Sequence, residues 1–158
     1  MKNSLKRSMS LSTSLDSSWP ERPPASTVIL KSASLEDVAA ICDLEYELFP
    51  NNNFNEVTLA HELQLGGGIV LYDGQKLVGY SLLAFDGNLT DLLRLGVAKE
   101  YQGCGYGSQI LNKILMDYRQ VMLCVTPDNK NAMRLYLRYG FKIIGRLSVG
   151  ADAWVLST

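Results

Sequence analysis

The feature that most constrains this chain is a cluster of three glycines, Gly103, Gly105 and Gly107, between two apolar stretches of different period. The stretch before them, Thr90 to Val97, suits a buried strand, whereas the stretch up to Met116 repeats apolar residues at helical spacing. The glycines therefore lie where a helix begins. The first turn of a helix offers N–H groups without intrahelical partners, and glycines let a ligand approach them. The stretch predicts an anion cradle, best suited to a phosphate.

The spacing of the glycines separates the known kinds of phosphate cradle. A P-loop requires Lys and then Ser or Thr after its last glycine, whereas Ser108 and Gln109 follow here. A dinucleotide fingerprint requires G-x-G-x-x-G, but this chain has G-x-G-x-G. The pattern Gln102-x-x-Gly105-x-Gly107 instead resembles the Q/R-x-x-G-x-G/A pyrophosphate motif of the GNAT N-acetyltransferase superfamily.

A second motif and the order of elements agree with this resemblance. Asn129-x-x-Ala132-x-x-Leu135-Tyr136, followed by Gly140-Phe141, resembles the family signature N-x-x-A-x-x-L-Y…G-F. The other patterns predict strands at Val28–Leu30, Ile69–Tyr72, Lys76–Phe85, Val121–Val125, Phe141–Leu147 and Ala153–Leu156, and helices after Ser34, near Glu56–Leu65 and near Asn129–Tyr139. The resemblance implies a GNAT fold of the α/β (α+β) class. Its central mixed, mostly antiparallel sheet would splay at the acetyl-CoA site and carry helices on both faces.

The chain is predicted to hold one GNAT acetyltransferase domain at residues 27–158, after a disordered Ser-rich leader at residues 1–26. With 158 residues, of which 47% are hydrophobic and 20% charged, one well-buried domain is expected. The leader shows no apolar periodicity. Its Lys2, Lys6 and Arg7 weakly resemble a transit peptide, although an extension outside the fold explains them more simply.

Composition argues against several other classes of protein. A net charge of -1 and a pI near 5.8 do not favour nucleic-acid binding. Cys42, Cys104 and Cys124 are widely spaced and accompanied by a single histidine, His61, so that neither a disulfide framework nor a metal site is indicated. No apolar run is long enough to cross a bilayer, and a cytoplasmic location with no membrane partner is expected.

The resemblance implies that acetyl-CoA is held largely by backbone groups. The strand before the glycines would pair with the pantetheine arm, the loop N–H groups would bind the pyrophosphate, and an asparagine of the second motif would contact the pantetheine. That asparagine could equally be a helix N-cap. The residues so implicated are Leu95, Gly96, Val97, Gln102, Gly103, Cys104, Gly105, Tyr106, Gly107, Ser108 and Asn129.

The resemblance also implies a general acid and leaves the base open. Tyr136 would protonate the departing thiolate, although a tyrosine on a packed helix can also be a core residue. Asp91, six residues before Val97, occupies the position of the base glutamate in the histone-acetylating branch, but it is one carbon shorter and could simply be solvated. In the ribosomal-protein branch the base would fall at Cys124, which in an apolar strand is expected to be an inert core residue.

The acceptor is the least constrained part of the prediction. Phe49-Pro50 and the second motif resemble the N-terminal acetyltransferases, nearest to the ribosomal-protein N-alpha branch, whereas the connection at 148–152 lacks their aromatic peptide clamp. Helix glutamates that would suit a cationic amine are more simply explained as solvated: Glu45, Glu47, Glu56 and Glu62.

The predicted function is transfer of the acetyl group of acetyl-CoA to a primary amine by direct attack in a ternary complex. A protein N-terminus or lysine is the favoured acceptor. The alternatives are a small amine of the polyamine kind and a catalytically silent acyl-CoA-binding module. No metal is expected, because a thioester is already activated. The last strand could leave a free sheet edge, which would permit a homodimer as well as a monomer.

Overall fold

The central feature of the computed structural model, which describes residues 28–148 and 152–158, is a seven-stranded sheet. The predicted leader and its boundary with the domain lie outside the described residues, as does most of the connection predicted to lack a peptide clamp. The elements in chain order are β1 (Val28–Ser32), α1 (Val38–Leu48), α2 (Glu56–Leu65), β2 (Gly67–Asp73), β3 (Lys76–Asp86), β4 (Leu89–Val97), α3 (Tyr106–Asp117), β5 (Gln120–Val125), α4 (Lys130–Arg138), β6 (Lys142–Leu147) and β7 (Ala153–Ser157).

The sheet has the strand order β1-β2-β3-β4-β5-β7-β6, and β4–β5 is the parallel pair among otherwise antiparallel neighbours in the described strands. The predicted mixed, mostly antiparallel sheet with helices on both faces is confirmed. The final strand, however, is not at an edge. β7 lies between β5 and β6, so the interpretation that the last strand leaves a free edge is wrong, because β6 and β7 form a hairpin whose second strand pairs inward.

Local signals explain where the first two helices begin and end. The backbone N–H of Ser34 donates to Asp37 Oδ2 at 2.8 Å, which forms a capping interaction before α1. Asn55 caps α2 by accepting from the N–H of Thr58 at 2.9 Å. α2 ends at Gly66, where an added Cβ would lie 2.0 Å from the carbonyl oxygen of Leu83. Only a glycine lets the helix end approach the sheet this closely.

Each face of the sheet has its own core. One core is formed between the sheet and the pair α3 and α4, and it includes Ile110, Leu111, Ile114, Val121, Leu123 and Tyr136. The other is formed between the sheet and the pair α1 and α2, and it includes Ile41, Leu44, Leu59, Val70, Tyr80 and Leu82. The helices therefore sandwich the sheet, and anything that passes between two strands passes from one helix layer to the other.

The two halves of the sheet separate partway along β4. β4 and β5 pair only over Leu89–Leu92 and Gln120–Leu123. At that point the register between β4 and β3 shifts and leaves Leu93 as an extra residue, a bulge that bends and twists the strand. Arg94–Val97 continue to pair with β3 alone. This divergence is the predicted splay, and it opens a cleft between the ends of β4 and β5.

Candidate active site

A cleft of about 810 Å³ follows the divergence of β4 and β5. Its walls come from the end of β4, the glycine loop before α3, the helix α4 and the end of α1. The lining residues are Leu48, Phe49, Leu95, Gly96, Val97, Tyr101, Gln102, Gly103, Gly105, Tyr106, Gly107, Ser108, Asn129, Asn131, Ala132, Leu135, Tyr136 and Arg138. A volume of this size is typical of a small-molecule site.

The glycine loop has the geometry of an anion cradle. Gly103 and Gly105 have φ of +74° and +86°, a left-handed conformation that favours glycine, and an added Cβ at either would meet nothing within 4 Å. The first hydrogen bond of α3 runs from the N–H of Gln109 to the carbonyl of Gly105 at 3.0 Å. The preceding N–H groups have no helical acceptor, and they carry the positive end of the helix dipole. Open space beside such donors fits a phosphate.

A hydrogen bond ties the glycine loop to the end of β4, and a glycine lets α1 lie close to the same part of the strand. The side-chain amide of Gln102 donates to the carbonyl of Val97 at 2.9 Å, which ties the loop to the strand. At Gly96 an added Cβ would lie 2.7 Å from the ring of Tyr80 and 3.0 Å from Leu48. Glycine at this position lets α1 approach the strand directly beside the cleft.

The structure brings together most of the residues implicated in acetyl-CoA binding. Ten of the eleven line the cleft, the exception being Cys104, whose Sγ lies 3.8 Å from the carbonyl oxygen of Gln102. The expected contribution of Cys104 is its backbone N–H, so the position of its side chain does not bear on that role. Asn129 lines the cleft and also caps α4, because its Oδ1 accepts from the N–H of Ala132 at 3.2 Å. The individual contacts with acetyl-CoA stay predictions.

Tyr136 is at once a core residue and a cleft residue. The residue is 8% exposed, its ring centroid lies 5.5 Å from that of Phe141, and it lines the cleft. Burial raises the pKa of its phenol to about 12. The hydroxyl group is therefore protonated throughout the neutral range, as a general acid requires.

Asp91 lies outside the lining of the cleft but close to its apex. It pairs with Met122 of β5, one residue before the strands separate, and with Ala84 of β3. It is half-buried within the sheet, and desolvation raises its pKa above the ordinary value. Its role as a base stays a prediction.

Cys124 corrects another expectation. The thiol is exposed, because β5 alternates and directs Val121, Leu123 and Val125 into the core while Cys124 faces the other side. Partial desolvation and the nearby carboxylate of Asp91 raise the pKa of the thiol. Cys124 is thus not a core residue, and at neutral pH it carries a thiol rather than the more nucleophilic thiolate.

Sequence reasoning missed several residues of the cleft. Ala132 and Leu135 are fixed positions of the second motif, and Phe49 belongs to Phe49-Pro50, so the sequence carries a signal for these three residues. Arg138 had none, although its Nη2 lies 3.4 Å from Ser108 Oγ and places a cation beside the glycine loop. The remaining missed residues are Leu48, Tyr101 and Asn131.

No helix among residues 28–148 and 152–158 is long and apolar enough to span a bilayer. In the same part of the chain, no group of three or more His, Cys, Asp or Glu side chains is placed to hold a metal ion.

Comparisons with known proteins agree with this geometry. The sequence model of the Acetyltransferase (GNAT) family matches residues 34–141. None of the curated proteins compared with the chain matches it. Among solved structures, Arabidopsis thaliana Naa50 in complex with the bisubstrate analogue CoA-Ac-MVNAL is similar, with a TM-score of 0.73, 23% identity, and coverage of 84% of this chain and 98% of that one.

Two other solved structures show the same fold. The Escherichia coli ribosomal-protein-S18-alanine N-acetyltransferase has a TM-score of 0.74 and 18% identity, over 82% of this chain and 92% of that one. Arabidopsis thaliana NAA60 in complex with acetyl-CoA has a TM-score of 0.74 and 18% identity, over 84% of this chain and 98% of that one. The predicted family and acetyl-CoA as donor are confirmed. The likeness to the ribosomal-protein N-alpha branch is a likeness of fold. The chain belongs to the acetyltransferase (GNAT) family and is an acetyl-CoA-dependent N-acetyltransferase.

Proposed function

We propose that the acceptor is an amine of a protein or peptide, with an N-terminal α-amino group favoured over a lysine. The cleft passes between β4 and β5, so an acceptor can enter from the α1 and α2 face while acetyl-CoA lies on the glycine loop. On the α1 side the lining residues are Leu48 and Phe49, which are apolar. Such an apolar wall suits a side chain of a peptide better than it suits a polyamine, which carries several ammonium groups.

The single observation that carries the proposal concerns Glu45. A polyamine site would need free carboxylates, and Glu45 is on the helix that borders the cleft. Its side chain is 0% exposed and is paired with Arg94 Nε at 2.7 Å, so its charge is already neutralised. The interpretation of Glu45 as a solvated residue is wrong, whereas Glu47 and Glu56 are exposed and Glu62 is partly exposed. Glu45 is therefore not available to bind an ammonium group, and no Asp or Glu is among the described residues that line the cleft, so the cleft offers a polyamine no free carboxylate.

Two of the similar proteins add support by analogy. The Naa50 structure holds an analogue in which CoA is joined through an acetyl group to the peptide MVNAL. The Escherichia coli enzyme acts on an alanine of ribosomal protein S18. In both names the acceptor is a polypeptide.

The proposed chemistry is direct attack of a neutral amine on the thioester carbonyl. A C–N bond forms as the C–S bond breaks. Asp91, directly or through a water molecule, takes the proton that the amine loses, and its raised pKa makes it a stronger base than an ordinary aspartate. Tyr136 gives its proton to the departing thiolate, which leaves as the free thiol of coenzyme A.

The test is release of coenzyme A thiol with four matched acceptors. These are a lysine-free peptide with a free N-terminus, the same peptide acetylated at its N-terminus, that blocked peptide with one internal lysine, and spermidine. We expect turnover with the first peptide and none with the second. Turnover with spermidine alone would overturn the proposal.

Two other outcomes are equally informative. Turnover confined to the blocked lysine peptide would keep a protein acceptor and move it from the N-terminus to the side chain. Absence of turnover with every amine, while acetyl-CoA still raises the melting temperature, would favour the acyl-CoA-binding alternative. Mass spectrometry of the product would identify the acetylated nitrogen.

A further inference from the structure

A buried ion pair joins α1 to the sheet beside the cleft. Glu45 of α1 accepts hydrogen bonds from Tyr80 Oη of β3 at 2.5 Å, from Arg94 Nε of β4 at 2.7 Å and from the backbone N–H of Phe54 at 2.9 Å. We call the set Glu45, Tyr80, Arg94, Phe49 and Phe54 the Glu45 latch. Every charge in it is compensated, which a buried carboxylate requires.

Within this latch, Arg94 contacts the connection between α1 and α2, residues 49–55. Its guanidinium lies 4.0 Å from the ring centroid of Phe49 and 4.7 Å from that of Phe54. Its Nη2 also donates to the carbonyl oxygen of Asn52 at 2.7 Å. One side chain of the sheet therefore contacts the connection at three points, through stacking and through a charge-assisted hydrogen bond.

The Glu45 latch connects the strand β4, which lines one side of the cleft, with the end of α1, which lines the other. Arg94 directly precedes Leu95, the first residue of β4 to line the cleft, and Phe49 lines the cleft from the opposite side. The connection 49–55 contains no helix or strand, so its place depends on such contacts. The side chain of Arg94 is only 16% exposed, so the stack and the ion pair are shielded from solvent.

We propose that Arg94 is a positioning residue, which holds Phe49 against the cleft and so sets how well the acceptor binds, without affecting acetyl-CoA. The inference rests on the proposed function only in taking the Phe49 side as the acceptor entrance. A lysine cannot replace Arg94, because an ammonium group can neutralise Glu45 but cannot stack on the aromatic rings while also donating to Asn52.

The experiment compares the wild-type enzyme with Arg94→Lys. We expect the KM of the best acceptor to rise about tenfold, while kcat and the Kd of acetyl-CoA change by less than about twofold. Hydrogen exchange of residues 49–55 should become at least about tenfold faster. Ile114→Val is the matched control, since it removes a methyl group from the other core and leaves the latch untouched. It should lower the melting temperature without changing the KM of the acceptor or the Kd of acetyl-CoA.

Several results would overturn the inference. An equal loss of acceptor and acetyl-CoA binding would indicate a general structural role, and unchanged hydrogen exchange at 49–55 would show that Arg94 does not hold the connection. Phe54→Leu removes one of the two rings that contact Arg94 and keeps the ion pair. It should raise the KM of the acceptor by a smaller factor and again leave the Kd of acetyl-CoA unchanged. An unchanged KM of the acceptor in this variant would also contradict the inference. Since exchange and acetyl-CoA affinity need no acceptor, the inference can fail or stand whichever amine turns over.

Discussion

The two ends of the cleft are built in different ways. The glycine-loop end consists of backbone, namely the N–H groups at the start of α3 and the unpaired edge of β4, and its side chains matter mainly by being small. The α1 end consists of side chains, held by Glu45, Tyr80 and Arg94 across 35 and 49 residues of sequence. The first end is encoded locally within a few residues. The second depends on the whole fold, and the two should respond differently to substitution.

The largest effect is expected at the loop. Gly105→Glu should weaken acetyl-CoA binding at least about 100-fold, or about 2.7 kcal/mol, because the side chain fills the phosphate space and repels its charge. Binding is measured by calorimetry. Gly74→Glu is the matched control, since Gly74 also has positive φ and open surroundings but lies in the β2–β3 turn. Equal losses in both variants would show that backbone strain, and not the cradle, is responsible.

A smaller effect is expected from the phenol. Tyr136→Phe should lower kcat about 100-fold, at the lower end of the range for general acid catalysis, with little change in the Kd of acetyl-CoA. Because its pKa is about 12, Tyr136 itself should cause no loss of activity as pH rises to about 10. Tyr139→Phe, on the same helix end and outside the cleft lining, should be neutral. A drop in acetyl-CoA affinity that matches the loss of kcat would refute the acid role.

Substitution of Asp91, the carboxylate at the apex of the cleft, should lower kcat/KM by between about 10-fold and 100-fold. Asp91→Asn removes the proposed base while keeping the size of the side chain. A base must be deprotonated, so wild-type kcat/KM should fall as pH decreases through the raised pKa of Asp91, at a higher pH than the ordinary aspartate value of about 3.9. This acid limb should disappear in the variant. Its persistence would assign the limb to another group.

The smallest effect is expected at Arg138, where a side chain contributes to the backbone-built end. Arg138→Gln should raise the Kd of acetyl-CoA about threefold, since an exposed charge contributes little and is screened by salt. The difference from wild type should shrink between 50 and 500 mM salt, concentrations at which the Debye length falls from about 14 to about 4 Å. Arg134→Gln, on the same helix and outside the lining, is the control. A salt-independent loss would point to packing instead of charge.

The same comparison explains what could be predicted from sequence. Gly105 and Gln102 were identifiable because positive φ and a turn at a helix start leave a local signature. Asn129 and Tyr136 were identifiable by their fixed spacing. The alternation of β5 carried a signal that Cys124 faces away from Val121 and Leu123, but the apolar character of the strand obscured it.

Other features could not be predicted because they depend on contacts remote in sequence. A glutamate in an amphipathic helix is normally solvated, and nothing near Glu45 indicates that Arg94 will lie against it. Nor does the order of strands along the chain state which ones become neighbours in the sheet. The position of β7 is decided by its pairing with β5 as well as with its own hairpin partner.

That placement of β7 has a consequence for how the domain is assembled. β6 precedes β7 along the chain, yet its described ladder is with β7 alone, five residue pairs from Lys142↔Ser157 to Leu147↔Ala153. During synthesis β6 must therefore wait for the strand that follows it before it can join the sheet. The β5-β7-β6 side of the sheet is therefore completed late. Removal of residues 153–157 would leave β5 and β6 with unpaired edges.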